Sequence, residues 1–281
     1  MSEAVARYAV VGDPVAHSAS PRLFAALGRR LDVRLDYRAE RVVPGALRDF
    51  LDRARGGAYQ GLSVTLPHKV AALQLADTVS ETARAVGAAN CLVVEAGRLS
   101  AHNTDGVGLL RALAGQGATL QGAAVLLLGA GGAARAAAHA AQQSGARALW
   151  VSNRTAERAV QLAARFGGRA VPLQAASLQP YLEEADVLVQ ASAAGLGRPE
   201  ETALPSECVL HPRLTVLEMV YQPLDTALLR ATRAAGARGV DGLWMLIHQA
   251  LEQLRLWTGA EAPSALVAAL HQELAAEGAA A

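Results

Sequence analysis

The sequence predicts an α/β protein with parallel strands, divided into two domains. Short β-branched runs alternate with Ala/Leu/Arg-rich helical patterns along the whole chain, which is typical of parallel sheets covered by helices. Of the 281 residues, 52% are hydrophobic, enough for two ordinary cores. A glycine-rich turn after an apolar strand in the second half indicates a nucleotide-binding sheet there. The first half is therefore expected to be a separate α/β domain.

The first half is expected to form a sheet whose strands end in polar loops. Its predicted strands are Tyr8–Val11, Tyr37–Val43, Gly61–Thr65 and the hairpin Cys91–Glu95 with Arg98–Ala101. Ser20 is expected to be the N-cap of a helix that Pro21 begins, and Pro67 is expected to begin another helix. The hairpin turns at Ala96-Gly97. The first boundary between domains follows it, before the helix that starts near Asp105.

The second half has the stronger periodicity, beginning with a complete βαβ unit. Its predicted elements are strands Val125–Leu128, Leu149–Ser152, Arg169–Val171, Asp186–Gln190, Thr215–Glu218 and one near Val240, with helices Ala133–Ser144 and Ala156–Phe166. Six strands are enough for a doubly wound sheet of the Rossmann type. Two long helices follow, Leu243–Trp257 and Pro263–Ala276, and the pattern alone leaves open which domain they join.

Composition narrows the classes of partner and the cellular compartment. The formal charge is +1 and the basic residues are scattered, so we expect no nucleic-acid partner. Cys91 and Cys208 are far apart, without a CxxC or Cys/His cluster, which predicts neither a disulfide framework nor a metal site and fits a reducing cytoplasm. Neither a targeting segment in Met1–Val11 nor an apolar span of ~20 residues is visible, so we expect no membrane association.

A dinucleotide-binding turn is predicted at Gly129-Ala130-Gly131-Gly132-Ala133-Ala134. It follows an apolar strand and opens a helix, as the G-x-G-x-x-A pattern requires. Gly129 would make the tight turn, Gly131 would let a pyrophosphate approach the backbone, and Ala134 would allow close packing of helix and strand. The N–H groups at the helix start would then face the anion.

The residues after the next strand indicate NADP rather than NAD. An acidic residue ~20 positions after the glycines would bind the 2′-hydroxyl of NAD, but the sequence there is Ser152-Asn153-Arg154-Thr155. Arg154 offers a guanidinium to a 2′-phosphate, with hydrogen bonds from Asn153 and Thr155. Arg158, one turn further along, has two interpretations: a second phosphate ligand or a solvated helix residue.

Two charged residues of the first half are candidate proton carriers. Lys69 lies at a strand-to-helix corner, where a partly buried ammonium can exchange a proton with a reacting oxygen. Asp105 would hold that lysine and a substrate hydroxyl. Position alone also allows ordinary roles, with Lys69 a surface lysine and Asp105 the N-cap of the following helix.

Taken together and in order, a series of segments resembles the shikimate dehydrogenase family over nearly the whole chain. These segments are His17-Ser18-Ala19-Ser20-Pro21, Val64-Thr65-Leu66-Pro67-His68-Lys69, Gly87-Ala88-Ala89-Asn90, Asn103-Thr104-Asp105-Gly106, Gly129 to Arg135, Asn153-Arg154-Thr155, Tyr221, and Asp241-Gly242-Leu243 through Gln249. The resemblance implies NADPH-dependent reduction of 3-dehydroshikimate to shikimate in aromatic amino-acid biosynthesis. It also implies a substrate domain of residues 1–104 and 242–281, to which the last helices return, and an NADP domain of residues 105–241.

The resemblance assigns roles to individual residues. Lys69 and Asp105 match the family's catalytic pair, with Lys69 as the proton donor. Positions that match substrate-binding residues are Ser18 and Ser20, which would bind the carboxylate, and Thr65, Asn90, Tyr221 and Gln249. The remaining cofactor positions are Val220 and Gly242, near the nicotinamide. The substrate would be the small-molecule partner, and the chain would be a monomer or a homodimer.

Some positions depart from the family pattern, and other functions stay open. Ser63 stands where asparagine is common and Cys91 where threonine is common, while Gln190 and Glu218 also differ from the usual residues. These departures leave Lys69 and Asp105 in place. A quinate or dual quinate/shikimate dehydrogenase would share the fold, but Arg154 argues against its frequent preference for NAD. A methylene-tetrahydrofolate dehydrogenase-like enzyme would give the serine pair no role, and a non-catalytic NADPH-binding regulator would not need the catalytic pair.

Overall fold

The computed structural model describes residues 6–279. The first five residues of the N-terminal stretch in which we expect no targeting segment therefore lie outside the described residues, as do the last two residues of the expected substrate domain. The chain forms two compact units, one consisting of residues up to Thr104 with Leu246–Ala276, the other of Asp105–Met245 with the residues from Glu277. Within 6–279, no helix has both the length and the apolar character needed to span a membrane.

The first unit contains a six-stranded mixed sheet. Its strands are β1 (Arg7–Gly12), β2 (Asp36–Arg41), β3 (Gly61–Val64), β4 (Thr78–Val79), β5 (Cys91–Glu95) and β6 (Arg98–His102). They lie in the order β2-β1-β3-β5-β6-β4. β1 pairs in parallel with β2 and β3, but β5 is antiparallel to both β3 and β6. The sheet is mixed because the predicted hairpin at Ala96-Gly97 inserts two antiparallel pairs among the parallel strands.

Four α-helices accompany this sheet: α1 (Ser20–Leu31), α2 (Leu47–Arg53), α3 (Lys69–Leu75) and α4 (Glu81–Val86). The expected N-cap at Ser20 is wrong. Ser20 is already the first helical residue, and the N-cap is Ala19, whose methyl side chain cannot accept a hydrogen bond from the first turn. Pro67 also does not begin a helix, since it lies in a turn and α3 starts two residues later. The core between α2, α3 and the sheet includes Phe50, Leu62 and Leu92.

The second unit contains a six-stranded sheet that is parallel throughout. Its strands are β7 (Ala124–Leu128), β8 (Ala148–Ser152), β9 (Arg169–Ala170), β10 (Val187–Gln190), β11 (Thr215–Glu218) and β12 (Arg238–Val240). Their order, β12-β11-β10-β7-β8-β9, is that of the doubly wound dinucleotide-binding fold. The carboxyl ends of β7 and β10 are neighbours at the point where the strand order reverses, which is where ligands bind in such sheets.

Five helices of this unit cover both faces of the sheet: α5 (Asp105–Gly115), α6 (Gly132–Gln143), α7 (Ala156–Arg165), α8 (Ala175–Glu184) and α9 (Ala227–Ala234). Alternate residues of β7 point to opposite cores. Val125 and Leu127 pack in a cluster with residues of α5, α6 and α7. Leu126 and Leu128 pack in a second cluster with residues of α8 and α9. Both faces are buried, as a continuous apolar strand requires.

The chain ends in two helices, α10 (Gly242–Thr258) and α11 (Leu266–Ala279). From Leu246 to Ala276 these residues belong to the first unit. One side of α10 packs on β5 and on the residues just before that strand. Trp257 donates a hydrogen bond to the Leu92 carbonyl oxygen at 3.0 Å and stacks on Tyr8 at 4.9 Å between ring centroids. The ring also lies where a Cβ at Gly61 would be, so β3 needs glycine at this point.

The outer strands of both sheets are short or charged. β4, β9 and β12 have only two or three residues each. The longer edge strand, β2, reads Asp36-Tyr37-Arg38-Ala39-Glu40-Arg41. Arg38 pairs with Asp36 at 2.9 Å and Arg41 pairs with Asp13 at 2.8 Å.

Candidate active site

The predicted glycine turn connects β7 to α6, and Gly129 is fixed there by the fold. Its φ is +118°, a backbone conformation that residues with a Cβ rarely adopt. A Cβ at this position would lie 2.9 Å from the carbonyl carbon of Ala191 and the nitrogen of Ser192. The N–H of Gly129 donates to the Ser152 carbonyl oxygen at 2.8 Å. The turn is therefore held between the ends of β8 and β10.

Gly131 is under no comparable constraint from the protein. Its φ of −85° and ψ of −169° suit any residue, and a Cβ there would meet no atom within 4 Å. Gly131 is also exposed and is the N-cap of α6, where no side chain accepts a hydrogen bond from the first turn. Open space beside uncapped N–H groups suits the approach of a pyrophosphate. Ala134, buried behind the turn, lets α6 pack closely against the sheet.

The loop after β8 presents two arginines to solvent. Asn153 Nδ2 donates to the Thr155 carbonyl oxygen at 2.9 Å and shapes the loop. Arg154 and Arg158 are exposed. Among the residues that the structure describes, neither guanidinium group has a hydrogen-bond or ion-pair partner. Because no carboxylate neutralises these side chains, they are available to an anion next to the glycine turn. The loop thus fits the adenosine 2′-phosphate of NADP. Ser152 lies just before the loop, and its buried Oγ has no hydrogen-bond partner among the residues that the structure describes.

The carboxyl end of β11 is built around a buried carboxyl group. Glu218, which is 1% exposed, accepts hydrogen bonds from the Val220 N–H at 2.9 Å and the Thr226 hydroxyl at 3.3 Å. Burial raises the pKa of Glu218 to about 7, against the opposing effect of these hydrogen bonds. Through these hydrogen bonds, the Glu218 side chain braces the segment that carries Val220 and the half-buried Tyr221.

Gly242 packs against the same segment. A Cβ there would lie 2.5 Å from the Met219 carbonyl oxygen. Gly242 is therefore required by close packing of α10 on the residue after β11. This packing role explains the glycine independently of any contact with a cofactor.

In the first unit, the loops after β1 and β3 lie side by side. A Cβ at Gly12 would overlap the methyl group of Thr65, and the Asp13 N–H donates to the Leu66 carbonyl oxygen at 3.0 Å. Ser18 is half-buried, and its Oγ accepts a hydrogen bond from the Ser20 N–H at 3.3 Å. Ser18 thus lies on the loop after β1 and Ser20 at the start of α1, where their hydroxyl groups can bind an anion without a buried charge.

Lys69 is the first residue of α3 and is half-buried. Its carbonyl oxygen accepts a hydrogen bond from the Ala89 N–H at 2.8 Å, which brings α3 next to Asn90. The preceding His68 is buried and anchors the corner through a 2.5 Å contact between its Nε2 and the Val42 carbonyl oxygen. Asp105 is the first residue of α5 and is 1% exposed. It belongs to the second unit, where it begins the helix.

A buried hydrogen-bond network connects Asn90 to Gln249. The Thr104 N–H, which can only donate, points at Asn90 Oδ1 at 2.7 Å. Asn90 Nδ2 is therefore the donor to Gln249 Oε1 at 2.9 Å. With its oxygen committed to Asn90, Gln249 directs its own NH2 group away as a donor. The predicted pair of substrate residues thus forms one oriented unit.

Sequence reasoning did not identify Thr104, Gln253 or Tyr37 as parts of this network. Gln253 is 3% exposed and bonds to Ser63, Asn90 and Thr104. Its separation of four residues from Gln249 on a predicted helix is the signal that would have found it. Cys91, the other departure here, is an inert core residue, because burial raises the pKa of its thiol.

Three family models match successive parts of the chain. The model described as shikimate dehydrogenase substrate binding domain matches residues 10–92, that of shikimate / quinate 5-dehydrogenase matches residues 112–202, and that of the shikimate 5′-dehydrogenase C-terminal domain matches residues 242–270. A shikimate dehydrogenase (NADP(+)) of Thermococcus kodakarensis is 40% identical over 260 residues, covering 92% of this chain and 93% of the relative. The chain belongs to the shikimate dehydrogenase family.

Other members of this family are similarly related. A shikimate dehydrogenase (NADP(+)) of Thermus thermophilus is 43% identical over 253 residues, covering 90% of this chain and 92% of the relative. The crystal structure of shikimate 5-dehydrogenase from a second strain of Thermus thermophilus, in complex with NADP(H) and shikimate, has a TM-score of 0.86 at 39% identity, covering 96% of this chain and 99% of that one. The predicted family and fold class are confirmed. The chain is an oxidoreductase, and the quinate alternative is not favoured.

Proposed function

We propose that this chain catalyses the reversible reduction of 3-dehydroshikimate to shikimate with NADPH. The observation that carries the proposal is 40% identity across 92% of the chain with a shikimate dehydrogenase (NADP(+)), with Lys69 and Asp105 both present. A non-catalytic regulator would not need that pair. We also propose that residues 1–104 with 242–281 bind the substrate and residues 105–241 bind the cofactor.

The residues of the second unit fit NADP. Gly129 supports the turn, while Gly131 leaves room for the pyrophosphate at the uncapped start of α6. The neighbouring residues of the turn, Ala130, Gly132 and Ala133, would offer backbone contacts. Arg154 would pair with the 2′-phosphate through a charge-assisted hydrogen bond, assisted by Asn153, Thr155 and Arg158. Val220 and Gly242 would contact the nicotinamide.

The residues of the first unit fit a small acid with several hydroxyl groups. Ser18 and Ser20 would bind the carboxylate through their hydroxyls. Thr65, Asn90 and Gln249 would bind ring hydroxyls, and Tyr221 of the second unit would complete the set of substrate ligands. Several directional groups are needed to fix one orientation of such a ring. The outward NH2 group of Gln249 supports this assignment, because a ring hydroxyl can accept its hydrogen bond.

The chemistry requires one hydride and one proton. NADPH, when bound, supplies the hydride to the carbonyl carbon. Lys69 donates a proton from its ammonium group to the carbonyl oxygen as that carbon is reduced, and regains a proton from solvent. As the partner in the family's catalytic pair, Asp105 would hold the Lys69 ammonium and a neighbouring substrate hydroxyl in place. In the reverse direction, neutral Lys69 accepts the hydroxyl proton.

A reducing cytoplasm is the compartment that suits the chain, since Cys91 and Cys208 are both free thiols. Its expected partner is the small substrate. We expect no nucleic-acid ligand, and the chain acts as a monomer or a homodimer.

The decisive experiment measures initial rates with shikimate or quinate, each paired with NADP⁺ or NAD⁺. We expect a clear preference for shikimate with NADP⁺. A preference for quinate with NAD⁺ would overturn both the substrate and the role of Arg154. Absence of turnover with all four pairs, despite measurable NADPH binding, would favour the regulator.

A further inference from the structure

We infer that Gln253 is a positioning residue that, held by Ser63 and Tyr37, fixes the substrate-binding amides of Asn90 and Gln249. This inference rests on the proposed function, because it concerns how the substrate site is oriented. Gln253 itself is not assigned a contact with substrate or cofactor. It acts through its neighbours.

The orientation of Gln253 follows from a main-chain group. Its Nε2 lies 3.2 Å from the Asn90 carbonyl oxygen, which can only accept a hydrogen bond. The NH2 end of the amide must therefore face Asn90, where it also lies 3.4 Å from Thr104 Oγ1. The amide oxygen consequently faces Ser63.

Ser63 and Tyr37 lock this orientation from the other side. Ser63 Oγ donates to Gln253 Oε1 at 2.6 Å, and the Tyr37 hydroxyl donates to Ser63 Oγ at 2.7 Å. Because a serine hydroxyl has one proton, accepting from Tyr37 leaves that proton for Gln253. The Tyr37 ring is itself held by stacking on Phe24, with ring centroids 4.2 Å apart.

The relay continues to the substrate-binding residues. Thr104 Oγ1 accepts from both Gln253 Nε2 and Asn90 Nδ2. The same Asn90 amide donates to Gln249 Oε1 at 2.9 Å. The donors thus run in one direction, from Tyr37 to Ser63 and from Ser63 to Gln253. Gln253 in turn donates to the Asn90 carbonyl oxygen and to Thr104 Oγ1, which fixes the orientation of both residues. Loss of the Gln253 amide would leave the Asn90 carbonyl and the Thr104 hydroxyl without this donor in a buried site.

This assignment also explains a departure from the family pattern. Ser63 stands where asparagine is common, so a shorter side chain occupies the end of β3. Gln253 reaches it from α10 and supplies an amide group beside it. Ser63 and Gln253 are therefore expected to act as a pair, 190 positions apart in sequence.

The test compares Gln253→Leu, Gln253→Glu and Ser63→Ala in the full-length protein. For Gln253→Leu, which keeps most of the volume but removes the donor, we expect kcat/KM for shikimate to fall about tenfold, the effect of one buried hydrogen bond. KM for NADP⁺ should change less than twofold. At pH 6, kcat/KM for shikimate should be higher in Gln253→Glu than in Gln253→Leu, because a protonated carboxyl can donate a hydrogen bond in place of the amide. A matched control, Gln179→Leu on α8, should leave KM for shikimate unchanged.

Three outcomes, each with an active wild type, would overturn the inference while leaving the proposed function intact. The first is a Gln253→Leu variant with unchanged kcat/KM for shikimate. The second is a Gln253→Glu variant whose kcat/KM at pH 6 is no higher than that of Gln253→Leu. The third comes from the double variant Ser63→Ala/Gln253→Leu. Its loss should equal that of Gln253→Leu alone, whereas additive losses would show that Ser63 does not act through Gln253. An inactive wild type would instead refute the proposed function.

Discussion

Two glycines of one turn should respond oppositely to the same substitution. In Gly129→Ala, the new methyl group meets the Ala191 and Ser192 backbone at 2.9 Å, and the residue must hold a φ of +118°. Such a backbone conformation costs about 1–3 kcal/mol, and the close contact adds to it, so we expect a loss of about 2–4 kcal/mol. At about 2–4 °C per kcal/mol for chains of this size, Tm should fall by roughly 4–16 °C.

Gly131→Ala should leave the fold intact but weaken cofactor binding. Its backbone angles suit alanine and the methyl group meets nothing, so Tm should stay constant or rise slightly, since alanine restricts the unfolded chain by about 0.4–1 kcal/mol. The methyl group would occupy the space that the pyrophosphate needs, so we expect NADPH affinity to fall at least about tenfold, or ~1.4 kcal/mol.

Thermal melts and fluorescence titrations with NADPH on both variants provide the test. Unchanged NADPH affinity in Gly131→Ala would refute the approach of the pyrophosphate to this residue. Wild-type stability in Gly129→Ala would refute the strain argument.

Three further substitutions test the proton carrier, the phosphate ligand and the buried acid. Lys69→Ala should lower kcat by ~10²–10⁴ with a smaller change in KM, and steady-state kinetics showing an unchanged kcat would remove Lys69 from the reaction. Arg154→Ala should weaken NADPH by roughly 1.5–3 kcal/mol and NADH far less, so equal weakening in titrations of both cofactors would contradict a 2′-phosphate contact. Burial raises the pKa of Glu218 from 4.5 to about 7, so between these two pH values the folded state keeps a proton that the unfolded chain releases. The contribution of Glu218 to the free energy of unfolding is therefore fully present below pH 4.5 and is lost as the pH rises through 7. In urea unfolding, the free energy of unfolding of Glu218→Gln should therefore gain up to about 3 kcal/mol on that of wild type between pH 5 and 8. The exposed control Glu207→Gln should show no such gain. The same pH dependence of the free energy of unfolding in both variants would refute the argument.

The sequence predicted best where structure is determined by local pattern. The strand Thr215–Glu218 has the predicted bounds, and the strand before Gly129 ends at Leu128 as expected. Apolar runs buried on both faces, followed by glycine, leave few alternatives. The hairpin at Ala96-Gly97 was also predicted, and both turn residues have the positive φ that such a turn requires.

Features that depend on distant residues were not predictable. α8 contains Pro180 and has a weak helical pattern, so the sequence did not reveal it. The order of the mixed sheet depends on pairing between strands far apart in sequence. The role of Ser63 became visible only when Gln253, on a helix 190 residues later, was found within hydrogen-bond distance. The catalytic and binding roles of the individual site residues remain predictions.

The outer strands bear on how the protein behaves in concentrated solution. A net charge of +1 provides little electrostatic repulsion between copies, and more than half of the residues are hydrophobic. Protection against strand-to-strand aggregation must therefore come from the sheet edges themselves. Three edges offer only two or three residues to an incoming strand, and the fourth would force its charged side chains, already paired within the chain, next to those of another copy. Replacing the exposed Arg38 by an apolar residue would weaken that protection at a position outside the core.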